Sequence, residues 1–429
     1  MTVVAPSPTE AERALSQLFE RRSASFTDAP LDMARASAFE RFAAGGLPHR
    51  RVEAYKYTDL KARLRSLPPA AEEMPVAEAK ALLDANPPLT ANTHRVVVAN
   101  GRFVPELSSA PAGVRIGSLL DPSAGTDRVG ELVRDSDDPL TLANAGLFEG
   151  GVVIHVDDNA AGSIEIAQVV GDGVLVMPRV AVFVAAGATV HFVERVLGGE
   201  SAVTNTLVEL FVPDEAHVEW IRFAEGRSAD ATSLSTLHTK VETKARLEHL
   251  TVSTGLGLSR AQVFAFVTGD EGQANFRAAT VAVGERHADN TLVVHHDALA
   301  STSSEVFKSA VGHGGTAIVQ GRIFVEKGAQ KTDARMMSNA LFLDETGEVV
   351  NKPELEIFAD DVACGHGATS GDLDEDMVFY LRARGVPEAT ARRLLAEAFV
   401  IEALDRVEDE AIQEALAERI RAALATMGG

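Results

Sequence analysis

The stretch DDVACGHGATSG, Asp360 to Gly371, holds the only cysteine of the chain, Cys364, two residues from a histidine, His366. In a β-strand that spacing sets thiolate and imidazole on one face, within reach of a single metal. Gly365 and Gly367 allow a close approach of backbone. Soft sulfur beside imidazole suits zinc or an iron–sulfur cluster. The competing reading is a small buried thiol and a hydrogen-bonded surface histidine. A closed site takes about four ligands, and one cysteine cannot supply them. If Cys364 or His366 binds metal, the other ligands come from another polypeptide and the site lies at an interface.

Other candidates are weaker. His295-His296 is a tandem pair, but adjacent strand residues point to opposite faces and cannot easily share a metal. His313, in VGHGGTA, sits in a Gly-rich turn without a phosphate-binding pattern. Neither a GxSxG elbow nor an HExxH helix is present. Trp220, Tyr55, Tyr57 and Tyr380 are expected to pack rather than to bind a cofactor. No self-sufficient active site emerges.

The elements that must position Cys364 and His366 follow from periodicity. Thr9 to Arg22 and Leu31 to Ala44 carry apolar residues at helical spacing, with Gly45-Gly46 ending the second. Pro-rich connectors flank a short helical piece, Val76 to Ala85. HRVVVANGRFV predicts a hairpin turning at Asn100-Gly101. Between residues 150 and 326 short β-type runs follow one another. Taking every second run, from Ile154 through Val182, Glu209, Thr239, Phe264 and Val293 to Val319, the steps are 28, 27, 30, 25, 29 and 26 residues. The interleaved set, from Ile166 to Phe307, steps by 26, 28, 29, 29 and 29. Two strands per recurrence near 27 residues predict a solenoid of stacked coils, each burying its inward residues against its neighbours. An antiparallel sandwich is the alternative. After residue 370 the pattern is helical again: Asp372 and Asp374 offer caps for MVFYLRAR, Pro387 opens a second helix, and a last amphipathic segment follows. The expected organisation is a helical region over 1–92, a β-solenoid core over 93–370 and a helical region over 371–429.

Composition bounds the partners. The 429 residues include 62 acidic against 40 basic, a formal charge of −22, which repels phosphate backbones and anionic lipid. Neither nucleic acid nor membrane binding is expected. Aromatics make up only 5%, which favours a core of thin layers. A lone cysteine, and an N-terminal stretch without the basic and apolar regions of a secretory signal, lead to the expectation of a cytoplasmic protein.

The block PELEIFADDVACGHGATSGDLDEDMVFYLRARGV, from Pro353, resembles the C-terminal signature of the SufB/SufD family of iron–sulfur cluster assembly proteins. RRVEAYKYTDL (Arg51 to Leu60), VVANGRF and VQGRIFVEKGAQKTDARMMSNALFL (Val319 to Leu343) are similar to that family too. The LEI…DV-x-C-x-HGAT pattern is its SufD form, although Tyr55 stands where the family often has Trp. The resemblance implies a mainly β protein, a right-handed parallel β-helix between N- and C-terminal helical regions. It further implies a non-catalytic scaffold that pairs with SufB and docks two copies of the ATPase SufC, which hydrolyses the ATP. On this resemblance His366 is a ligand to the nascent, transient cluster shared with SufB, and Cys364 a ligand or sulfur relay. SufC docking maps to the C-terminal helical region, with Phe379, Tyr380, Arg384 and Phe399 as contact residues. The family's assembled complex is associated with reduced FAD. Two alternatives stay open: a SufB-like chain that forms homodimers, and a β-helix enzyme acting on polysaccharide.

Overall fold

The computed structural model describes residues 7–425 apart from 28, 92, 159–161 and 226–227. Helix α1 (Glu10–Ser23) starts from a reciprocal cap: the Glu12 N–H donates to the Thr9 hydroxyl at 3.2 Å, and the Thr9 N–H donates to the Glu12 carboxylate at 2.7 Å. α2 (Pro30–Gly45) has proline in its first turn and ends at Gly46, φ 69°. Short α3 (Leu60–Arg63) and α4 (Val76–Ala85) follow. The hairpin forms as expected. β1 (Thr93–Ala99) pairs antiparallel with β2 (Arg102–Phe103) across Asn100 and Gly101, whose φ values of 42° and 80° are those a tight right-twisting turn requires.

Two ten-stranded sheets face each other across the core. In the first, β2 and β1 are followed by β5 (Ser163–Val170), β8 (Thr189–Gly198), β10 (His217–Glu225), β12 (Arg246–Thr254), β14 (Gln273–Val283), β16 (Thr302–Gly312), β18 (Asp333–Phe342) and β20 (Ala363–Asp372). In the second, β3 (Val114–Ser118) and β4 (Val152–Val156) lead to β7 (Arg179–Val184), β9 (Val203–Val212), β11 (Thr232–Val241), β13 (Leu258–Val267), β15 (His287–His296), β17 (Thr316–Val325) and β19 (Glu348–Ile357), with β6 (Leu175–Val176) beside β9. From β5 and β7 onward every pair is parallel, which is a solenoid and excludes the antiparallel sandwich. Successive coils pair at offsets of 26 residues (Val241 with Val267) to 32 (Val325 with Ile357).

The core is a stack of rows, because parallel in-register strands put equivalent side chains directly above one another. One inward row runs Phe192, Trp220, His249, Phe276, Glu305, Met336, His366. Corners repeat too. Glu215, Lys244, Glu271, Ala300 and Lys331 all have φ between 54° and 64°, and each donates its N–H to the next corner, at Thr243, Asp270, Leu299, Gln330 and Asp361.

Helices cover the outer faces. α5 (Pro139–Leu147), capped by Asp138, is buried at every residue after Pro139 and lies against β9. Asn144 donates to the carbonyls of Pro178 (2.9 Å) and Asn205 (2.6 Å), and Asn205 donates back to Leu140 at 3.0 Å. This helix was not expected from the sequence. It is apolar all round, so it shows no amphipathic period. At the other end Asp374 caps α6 (Glu375–Ala383), Gly385 at φ 87° ends the turn after it, and α7 (Glu388–Ile401) and α8 (Glu410–Ala425) pack on β12, β14 and β16. No helix among the described residues is long and apolar enough to cross a membrane.

Candidate functional site

Cys364 and His366 lie on β20, the last strand of its sheet. Cys364 pairs with Ala334 and His366 with Met336 on β18. Ala334 and Met336 are core residues, 0% and 2% exposed. Register therefore places Cys364 and His366 on the inward rows, above the last filled layer of the core. A Cβ on Gly321 would collide with the Met336 sulfur, so that glycine lets the methionine seal the layer beneath. Cys364 is half-buried against the core and His366 is exposed. The two share one face at the mouth of the solenoid, as their spacing predicts.

Burial pushes the Cys364 thiol up, and Asp333 and Glu305 add to this against a partial offset from the Ala334 backbone. A free thiol here is held protonated, and a bound cation would reverse that. Among the described residues no group of three or more His, Cys, Asp and Glu side chains could hold a metal. The chain offers two neighbouring donors.

Glu305 is the residue that sequence reasoning missed. It sits one layer below Met336 on the His366 row, 0% exposed, and its carboxyl oxygens lack a well-formed hydrogen bond, the nearby Ser303 hydroxyl only partly offsetting burial. Burial raises its pKa to about 8, so it is largely uncharged at neutral pH. A signal existed: Glu305 falls in the phase of the alternation that Phe307 occupies two residues later.

The tandem histidines separate as expected. His295 points outward between Phe266 (5.2 Å between centroids) and Phe324 (5.0 Å). His296 is buried and bonds Ser301 at 2.8 Å and Ser303 at 3.0 Å. His313 is a corner residue, φ 52°, 3.0 Å from Asp344. Trp220 and Tyr55 are buried, whereas Tyr380 is 51% exposed.

On the C-terminal helices Phe379 is 70% exposed, and the Arg384 guanidinium lies 4.2 Å from the centre of the Tyr380 ring. Met377 on α6 and Leu394 on α7 are exposed apolar side chains too. Phe399 turns the other way, against the solenoid, with Lys308 4.7 Å from its ring.

The segment RRVEAYKYTDL straps the N-terminal region onto the second sheet. Tyr55 donates to Asp138 at 2.5 Å and lies under Arg260. Arg260 and Thr58 both bond the buried Asp289, and the Ala54 carbonyl accepts from Arg260 at 2.8 Å and Gln320 at 3.1 Å.

Two family models match the chain: the SufBD protein N-terminal region over residues 9–166, and the SUF system FeS cluster assembly SufBD core domain over 167–399. The chain is 28% identical over 401 residues to the iron–sulfur cluster assembly protein SufD of Escherichia coli, covering 87% of this chain and 89% of that protein. It is also 28% identical over 424 residues to an iron–sulfur cluster assembly SufBD family protein of Synechocystis, covering 93% and 92%. A chloroplastic protein of Arabidopsis thaliana, ABCI7, is 28% identical over 417 residues, covering 92% and 86%.

Proposed function

The chain belongs to the SufBD family of iron–sulfur cluster assembly proteins, and from that premise we propose that it is a non-catalytic scaffold subunit whose open end is one half of a cluster-building site. The observation that carries this reading is the position of Cys364 and His366 on a free-edged terminal strand, facing an uncovered core mouth. Two donors do not hold a cluster that takes about four. The rest come from a second chain whose own terminal coil meets this one, and a SufB-type subunit is the partner of choice. Unpaired strand edges are the natural place for such a junction.

In this reading His366 is a ligand to the nascent cluster, which is cargo, and Cys364 is a second ligand or a relay for incoming sulfur. The half-buried thiol stays protonated until iron or an acceptor arrives, which limits its oxidation. The exposed side chains of Met377, Phe379, Tyr380 and Leu394, with Arg384, make a docking face for a SufC-type ATPase, and Phe399 holds that face onto the solenoid. ATP hydrolysis belongs to that partner. Reduced FAD is placed with the assembled complex, and the setting is the cytoplasm. Membership of the SufBD family supports this reading over a polysaccharide-acting one.

The test is His366→Ala in a complex reconstituted anaerobically with SufB- and SufC-type subunits. Iron and sulfide per complex should fall severalfold while the complex still forms. Unchanged loading removes the ligand role. A stable dimer of this chain that loads cluster by itself favours the homodimeric scaffold instead.

A further inference from the structure

A cleft of about 870 Å³ crosses the outer face of the second sheet, whereas the strand that bears Cys364 belongs to the first. One wall is the strap at 52–55, the other the loop at 131–139, and the floor comes from β11 to β19. The volume lies in the range of ligand-binding clefts.

The floor continues a row of outward rings. In register the row reads His155, Phe183, Phe211, Lys240, Phe266, His295, Phe324. Its first part is covered by the chain itself. Arg128 lies 4.1 Å from the centre of the Phe211 ring and 5.6 Å from that of Phe183, and its guanidinium is held by Glu131 at 2.9 Å. Two coils on, Phe266 and His295 stack at 5.2 Å and 18° with no cation over them among the described residues. The carboxylate of Asp135, four residues beyond Glu131, lines the same cleft without an ion pair or hydrogen bond among the described residues. The second stretch repeats the first with the arginine missing.

Charge points the same way. Six carboxylates line the cleft, among them Glu131, Asp135 and Asp137, against three cationic side chains, Lys240, Arg322 and Lys352. All three cations are already paired with glutamates. The floor also holds a spare acceptor. Thr141 donates its hydroxyl hydrogen to Asp138 at 3.0 Å, so it accepts from His238 Nε2–H at 3.0 Å. That fixes the tautomer and leaves His238 Nδ1, in a side chain 2% exposed, with a lone pair and no donor.

We propose that this cleft is a docking site for an arginine-bearing segment of a partner polypeptide, the guanidinium stacking on Phe266 and His295 with Asp135 as its carboxylate. A guanidinium is planar, permanently cationic and rich in N–H donors, which matches ring floor, acidic wall and spare acceptor together. A phosphate-bearing ligand meets the surplus of carboxylates and is disfavoured.

The full chain alone, without iron or partner subunits, is titrated with N-acetyl, C-amidated Gly-Arg-Gly and with its lysine and glutamate counterparts, followed by calorimetry or NMR. The arginine peptide should bind in the millimolar range or better, the lysine peptide roughly fivefold more weakly, and the glutamate peptide not at all. Asp135→Asn and His295→Ala, both at positions open to the cleft, should each weaken binding by about five- to tenfold. Arg322→Gln, which removes a cation from the floor, should tighten it. The proposal is overturned if the glutamate peptide or adenosine monophosphate binds as well as the arginine peptide. It is equally overturned if the arginine peptide fails to bind at 10 mM (roughly −2.7 kcal/mol), or if Arg322→Gln weakens its binding. None of these readouts involves cluster loading, so this idea and the scaffold reading can fail separately.

Discussion

At its N-terminal end each sheet of the solenoid finishes in a short antiparallel strand, the two-residue β2 and the five-residue β3. At its C-terminal end each finishes in a ten-residue parallel strand, β19 and β20, with no further strand beyond it among the described residues. Burial does not separate the edge strands themselves, since no residue of β2, β3, β19 or β20 is buried, so the difference lies in their length and direction. Long, flat, unpaired strands invite association, and proteins ordinarily shorten, bend or cover them. One end of this molecule follows that rule and the other does not. The end that does not is where the only cysteine and an inward-facing histidine stand. The contrast is the one that the proposed completion of the terminal coil by another chain accounts for.

Stability measurements sharpen the contrast. The largest effect belongs to the closed middle of the solenoid. Trp220→Ala, at a side chain only 1% exposed, should cost about 3–5 kcal/mol in urea denaturation. Leu355→Ala in the half-buried β19 should cost less than half as much. Equal costs would mean that the last coil is as tightly held as the middle.

Next comes Glu305, where the core meets the mouth. Its folded-state pKa is near 8 against an ordinary 4.5. The folded chain therefore keeps a proton that the unfolded chain releases. Stability from this group is full below the unfolded value and is lost as pH rises through the folded one. Glu305→Met should stabilise the protein at pH 8 by up to a few kcal/mol, and by less at pH 5, in denaturant titrations at the two pH values. A pH-independent difference would show that the carboxyl has found a partner.

Tyr55→Phe removes the donor to the semi-buried Asp138 that the strap depends on. It should cost about 1–3 kcal/mol, and it should raise amide exchange in the strap rather than at the mouth. Smallest is His366→Ala, expected to change stability by no more than about 0.5 kcal/mol, because the side chain is exposed. A large loss of stability there would recast His366 as structural.

Much of this architecture could be read from the chain. The helical segments at Thr9 and Val76, the Asn100-Gly101 hairpin and the two interleaved strand series are local patterns, and local patterns survive folding. The coil offsets were legible because each inward row needs its neighbours at a fixed interval. Three features were hidden for physical reasons. α5 has no polar face to betray it. β19 and β20 show no buried alternation, and β20 is rich in glycine and polar residues, because one side of the last coil is unfilled. The corners at Glu215, Lys244 and Glu271 use non-glycine residues at positive φ, so no glycine marks them. Of the site, the shared face of Cys364 and His366 followed from a two-residue spacing. For Glu305 only the phase it shares with Phe307 pointed to burial, while its residue type pointed to solvent.

The central claim is that this chain carries half a site. The most direct measurement is iron and acid-labile sulfide on the isolated monomer after anaerobic reconstitution, with mass measured by light scattering on the same sample. The account predicts far less than one cluster per chain on the monomer, with full loading appearing only when a second solenoid chain is added. A monomer that retains a full complement of iron and sulfide through gel filtration would contradict it.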